Sequence, residues 1–155
     1  MTKAGDQLAD ITYEALTGEM ALPATRSLRR NEAACAEAAG FLVDASRRLV
    51  IVRFGSRVGL AEVAAYAEKL RENPAFRPDF SEIADLCNVE QMDLQAAEFL
   101  KLADEVDPFS VESKRAFVAR NSTQAHAARM HKALRTQRNF AIFRSFEEAE
   151  RWIAE

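Results

Sequence analysis

Ile83-Ala84-Asp85-Leu86-Cys87-Asn88-Val89-Glu90-Gln91-Met92-Asp93-Leu94-Gln95-Ala96 is the stretch on which the reading of this chain turns. Taken with the residues just before it, the apolar run from Phe80 to Leu86 reads as a buried strand. A short polar loop follows. Asp93 then stands where a helix N-cap belongs, since a carboxylate there can accept the unpaired N–H groups of a first turn. The helix predicted from about Leu94 to Val106 carries Ala96, Phe99, Leu100, Ala103 and Val106 on one stripe, and Asp107-Pro108 ends it.

Strand, loop and helix make half of a βαβ unit, and the flanks repeat the alternation. Upstream, Phe41-Leu42-Val43 and Leu49 to Phe54 are β-prone runs joined by a polar turn at Asp44 to Arg47, the pattern of an antiparallel hairpin. Leu60, Val63, Ala64, Ala67 and Leu70 then mark an amphipathic helix that Asn73-Pro74 stops. Downstream, Lys114 to Arg120 is a strand with charged ends. Asn121, Ser122 and Thr123 offer caps for a helix to about Gln137, with Ala127, Met130, Leu134 and His126 inward. Phe140 to Arg144 is the last strand, and Ser145 with Glu148 forms a capping box for a helix that turns Phe146, Ala149, Trp152 and Ile153 to the sheet. The order β-β-α-β-α-β-α-β-α predicts an α/β domain over residues 40–155. It has a five-stranded mixed sheet, an N-terminal antiparallel hairpin followed by parallel strands, with four helices on right-handed crossovers. Residues 1–39 read as an appendage, partly helical or flexible, with a short helix over Asp6 to Glu19.

These fragments resemble the STAS fold, the SpoIIAA-like domain of anti-sigma-factor antagonists and sulphate-transporter tails. The family's Asp-Leu-Ser, Val and Asp-Ser-Ser-Gly frame is matched in spacing by Asp85-Leu86-Cys87, Val89 and Asp93-Leu94-Gln95-Ala96. An uncharacterised bacterial STAS-like group is more similar still. Its motifs are matched by Phe76-Arg77-Pro78-Asp79-Phe80, Ala128-Arg129-Met130, Phe143-Arg144 and Glu148-Ala149-Glu150-Arg151-Trp152. In the antagonists the Ser after that Asp is a phosphorylated switch at a helix start, where dipole and free N–H groups favour a phosphate. Leu94 stands there in this chain and has no hydroxyl, so the resemblance implies the fold without the switch.

The bulk numbers exclude more than they assign. A chain of 155 residues with 48% hydrophobic and 29% charged residues is that of a globular domain. Its net charge of −3 gives no pull toward nucleic acid or an anionic membrane. There is no apolar run long enough to span a bilayer and no signal-like N-terminus, which points to the cytoplasm. Cys35 and Cys87 form no disulfide framework or metal spacing. His126 and His131 lie five apart and share no helix face as ligands, so no metal is expected. Cys87, near the end of the central strand, lacks an identifiable base, and no nucleotide or hydrolase motif occurs. No catalytic residue, cofactor or enzymatic role is assigned.

Charge is distributed unevenly. Residues 79–107 hold nine acidic residues and one base, Lys101, whereas residues 113–144 hold eight basic residues and no acid. Solvated helix faces account for this in the plainer reading; a two-signed surface for association is the alternative. The sequence thus predicts a non-enzymatic interaction module that binds a protein partner or a second copy of itself, with Asp93, Leu94, Arg129, Lys132 and Arg135 as its surface. The alternative is a binding domain for a small amphiphile or lipid. Its pocket would lie between helices and sheet, lined by Phe41, Phe54, Phe80, Phe99 and Phe117, which equally serve as core.

Overall fold

The computed structural model describes residues 11–15 and 40–155. A hairpin opens the domain, β2 (Gly40–Asp44) and β3 (Leu49–Arg53), with β1 (Ile11–Ala15) antiparallel to β2 at the edge. Then come β4 (Arg57–Gly59), α1 (Leu60–Glu72), β5 (Ser81–Asp85), β6 (Gln91–Asp93) and α2 (Ala96–Lys101). β7 (Arg115–Val118), α3 (Ser122–Arg135), β8 (Phe140–Phe143) and α4 (Phe146–Ala154) complete it. The main sheet runs β1-β2-β3-β5-β7-β8, with β3, β5, β7 and β8 parallel. This is the hairpin-then-parallel α/β arrangement expected for residues 40–155, with the five strands and four helices in their predicted order.

Alternation along each strand splits the core in two. Ile83 on β5 and Ala116 and Val118 on β7 face α4, where Ala149, Phe146, Trp152 and Ile153 cover them. Ala84 and Phe117 face the other way with Phe41, Val43, Val50 and Val52, under α1, α2 and α3. One helix thus covers one face and three cover the other. Side-chain period two makes this division automatic once one residue is placed.

Several expectations are corrected. Ile11–Ala15 is a strand, not part of a helix over Asp6 to Glu19; the rest of residues 1–39, with Cys35, lies outside the described residues. Asp93 is not the cap of α2. It ends β6, a short strand parallel to β4, and its carboxylate takes Arg57 Nε at 2.8 Å across that ribbon. Gln95 is the N-cap instead, its N–H donating to Glu98 Oε1 at 2.8 Å. The apolar stripe of α2 also shifts. After Lys101 the chain forms a π turn over Leu102–Val106, closed by Asp107 N–H to the Leu102 carbonyl at 2.9 Å. Leu102 and Ala103 face inward below Phe99, three and four residues after it, while Ala96 and Leu100, which precede the π turn, are exposed. On α3 the buried side chains are Gln124, Ala127 and Ala128, whereas His126 and Leu134 are exposed. Gln124 turns in because its amide ties the helix start to the loop after β5, donating to Val89 O at 2.9 Å.

Candidate ligand cavity

Four charged side chains stand where the strand pattern calls for apolar ones, or pack beneath them. Glu82 on β5 and Arg115 on β7 are register partners on adjacent parallel strands, both on the three-helix face. Arg115 Nε donates to Glu82 Oε1 at 2.7 Å, and the two side chains are 4% and 3% exposed. Tyr66 of α1 donates its hydroxyl to Glu82 Oε2 at 2.6 Å. Arg115 Nη1 reaches Asp107 Oδ2 at 3.1 Å and Gln137 Oε1 at 3.2 Å, and its guanidinium lies 4.4 Å over the Phe109 ring. Asp107, just past the π turn, accepts His131 Nε2 on Oδ2 at 2.6 Å and the Phe109 N–H on Oδ1 at 2.9 Å. Arg135 donates to the carbonyls of Ala103 and Phe109 and brings Nε to 3.6 Å from Asp107 Oδ2.

Burial and pairing compete in this cluster. Burial alone would raise the Asp107 carboxyl. Arg115, with His131 and Arg135, outweighs it and holds the group well below the usual carboxylate range. Burial likewise disfavours the charge on Arg115, but Glu82 and Asp107 more than restore it. Burial, and then the Glu82 charge, pushes the Tyr66 phenol well above its ordinary value. The hydroxyl is therefore a proton donor at neutral pH.

A cavity of about 90 Å³ opens beside the cluster, between the sheet and α1, α2 and α3. Its walls are apolar, with Phe54, Val63, Met92, Leu94, Phe99 and Phe117 among them, and one side is the polar cluster of Tyr66, Glu82, Asp107, Arg115 and His131. Of the five phenylalanines proposed from sequence, Phe54, Phe99 and Phe117 line the space; Phe41 and Phe80 are core.

The five surface candidates disperse. Asp93 is held by Arg57 and Leu94 is half-buried on the cavity wall. Arg129 and Lys132 are exposed on α3, while Arg135 turns inward under the loop after α2. His126 faces solvent and His131 faces the cavity, as a five-residue separation requires. Cys87 is half-buried; burial and the Asp85 carboxylate push its thiol up to about 11, so it stays protonated at neutral pH. Among the described residues no helix is long and apolar enough to cross a membrane.

In fold, the chain resembles a SpoIIAA-like protein. That protein, from Shewanella loihica PV-4, is an uncharacterised member of the DUF3478 family with a SpoIIAA-like fold. It shares 16% identity over 68% of this chain and 83% of its own, with a TM-score of 0.49. No protein-family model and no curated protein matches the chain.

Sequence reasoning missed the cluster, although a signal was present. Glu82 shares its strand face with Ala84 and Leu86, and Arg115 shares one with Phe117. A charge at an inward register position on two neighbouring strands marks a buried ion pair.

Proposed function

We propose that this chain is a STAS-like binding domain that holds a small amphiphile in the cavity between its sheet and three helices. The observation that carries this reading is an apolar space bordered on one side by a buried, hydrogen-bonded charged cluster. Apolar walls with a few convergent polar groups are what ligand sites have in common. Size limits the occupant. A cavity of about 150 Å³ accepts benzene and one water occupies about 30 Å³ of liquid. The space here, about 90 Å³, suits an apolar group of a few carbons with a polar end. No step of bond making is assigned to the site, and no serine switch operates at the start of α2, since residues 90–97 contain no hydroxyl side chain.

Native mass spectrometry of the purified protein, paired with amide NMR titration using short-chain alcohols and acids, tests the reading. Retention of a small molecule, or shifts confined to Met92, Leu94, Phe99 and His131, is the expected result. Ala128→Leu, which extends a buried side chain into the space, should abolish binding while the circular dichroism spectrum is kept. Leu94→Phe does the same from the segment that leads into α2. A clean mass together with no shift across the panel overturns the proposal.

A further inference from the structure

β8 ends the main sheet on the side away from β1, and among the described residues no strand lies beyond it. Arg115 N–H donates to the Asn139 carbonyl at 2.7 Å, and Ala119 N–H to the Phe143 carbonyl at 2.9 Å. The odd-numbered residues of β8 therefore turn their peptide groups toward β7. Phe140 and Ile142 turn theirs away, and their N–H and C=O groups form an open edge. Charges, prolines and bulges are the usual devices that close such an edge. Phe140–Phe143 is wholly apolar and keeps an unbroken register with β7.

The two sides of this edge differ in charge. Phe140 and Ile142 lie partly buried on the three-helix side. Lys132 Nζ stands 6.0 Å from the Phe140 ring centroid. Arg129 is three residues earlier on the same side of α3, and Arg138 and Arg144 flank the strand; all of these cations are exposed. Among the described residues only Glu112 pairs with any of them, 3.6 Å from Arg138 in a solvent-exposed pair of little strength. On the α4 side Ala141 and Phe143 are apolar and partly buried, with Phe143 against Trp152. A second copy is a poor occupant, because antiparallel pairing of β8 with itself gathers the same cations of both copies at one seam. A nucleic acid meets the charge but has no alternating N–H and C=O row to match the edge. An extended peptide that is acidic on one side and apolar on the other meets both.

We propose that β8 is a docking edge for an acidic, extended segment of another protein, which joins the sheet as a further strand. Alternate acidic side chains lie on the three-helix side among Arg129, Lys132, Arg138 and Arg144. The intervening apolar ones lie beside Ala141 and Phe143. No residue of β8 lines the cavity, so this inference goes beyond the ligand reading and is independent of it.

Fluorescence anisotropy on the full chain tests it, with a blocked, labelled octapeptide of alternating Glu and Val as the probe. Eight extended residues span about 26 Å, enough to cover β8 and the arginines at both its ends. The peptide should bind, and more weakly as salt is added. A peptide of the same composition with Glu and Val in consecutive pairs loses the two-sided pattern and should bind about tenfold or more weakly, as should one with Lys for Glu. N-methylation of one alternate set of nitrogens should abolish binding, and of the other set should spare it, because only one set faces β8. Arg129→Glu with Lys132→Glu, both on exposed positions, should weaken binding about tenfold or more. Ile142→Pro removes an outward N–H without touching the ladder to β7 and should also block the edge; the charge reversal decides the matter if that variant does not fold. Equal binding of the paired-order peptide, indifference to both methylations, or no binding at about 1 mM protein overturns the proposal. So does tighter binding of an oligothymidylate than of the peptide, which would make the surface one for single-stranded nucleic acid. Sedimentation showing a dimer that Ile142→Pro dissociates overturns it in favour of a second copy.

Discussion

Arg115 is the residue on which the interior most depends. It holds two carboxylates that the fold has taken out of water, Glu82 and Asp107. Arg115→Met keeps much of the volume and leaves both anions unpaired, which for a buried pair costs about 3–5 kcal/mol, measured by urea unfolding. Arg48→Ala, by contrast, removes an ion pair with Asp79 whose members are 57% and 66% exposed, and should change stability by under about 1 kcal/mol. Equal losses in the two variants would show that burial does not set the difference. Asp107 gives the cluster a pH signature. Its carboxyl is depressed in the folded state from an ordinary value of 3.8, so the unfolded chain binds the proton first as pH falls. The stabilisation is therefore complete above that ordinary value and is lost progressively below about pH 4. Asp107→Asn should flatten the acid limb of a stability-against-pH curve; an unchanged limb would place acid sensitivity elsewhere.

At the scale of elements, what the sequence showed and what it hid follow from the range of the interactions. The strands at 40–44, 49–53, 81–85, 115–118 and 140–143 were legible because β-branched and aromatic runs declare themselves locally. So was the Ser145 cap, whose hydroxyl accepts the Glu148 N–H at 3.2 Å; Ser145→Ala should cost about 1 kcal/mol, read from the thermal midpoint. The start of α2 was not legible. Both Asp93 and Gln95 can precede a helix, and the choice was made by β6 pairing with β4, a contact between residues more than thirty apart in the chain. The π turn was hidden for the same reason, since it serves to bring Asp107 under Arg115 and His131. The end of α3 carries another tertiary decision. Thr136 caps it at φ 54°, a left-handed backbone that suits glycine and strains a β-branched residue. Thr136→Gly should raise stability by about 0.5–1 kcal/mol, the scale of the glycine preference at such sites. A destabilised variant would mean that the Thr hydroxyl, bonded to the Arg135 carbonyl, outweighs the backbone term.

Across the whole molecule the sheet separates two jobs. α4 seals one face with Phe146, Trp152 and Ile153, while the cavity and its charged wall lie wholly on the other. Trp152 is half-buried against Phe143, with ring centroids 5.7 Å apart, and carries Lys114 Nζ 4.8 Å above its ring. A fully buried Trp→Ala change costs about 3–5 kcal/mol, so a partly exposed one should cost about 2–3 kcal/mol. Residues on opposite faces with no shared partner act additively on stability. Trp152→Ala should therefore lower the thermal midpoint without altering the affinity of the cavity for its ligand. Ligand-linked stabilisation depends only on concentration relative to Kd, and reaches about 2.7 kcal/mol at a hundredfold excess over Kd. Unmodified and Trp152→Ala proteins should accordingly gain the same free energy from a saturating ligand, although they start from different midpoints. Leu94→Phe should behave in the opposite way, unfolding near the unmodified midpoint but gaining nothing from the ligand. If the Trp152→Ala protein lost the ligand's contribution, the two faces would be coupled through the strands, and Ile83 and Ala84, neighbours on β5 that face opposite ways, would be the place to look for it.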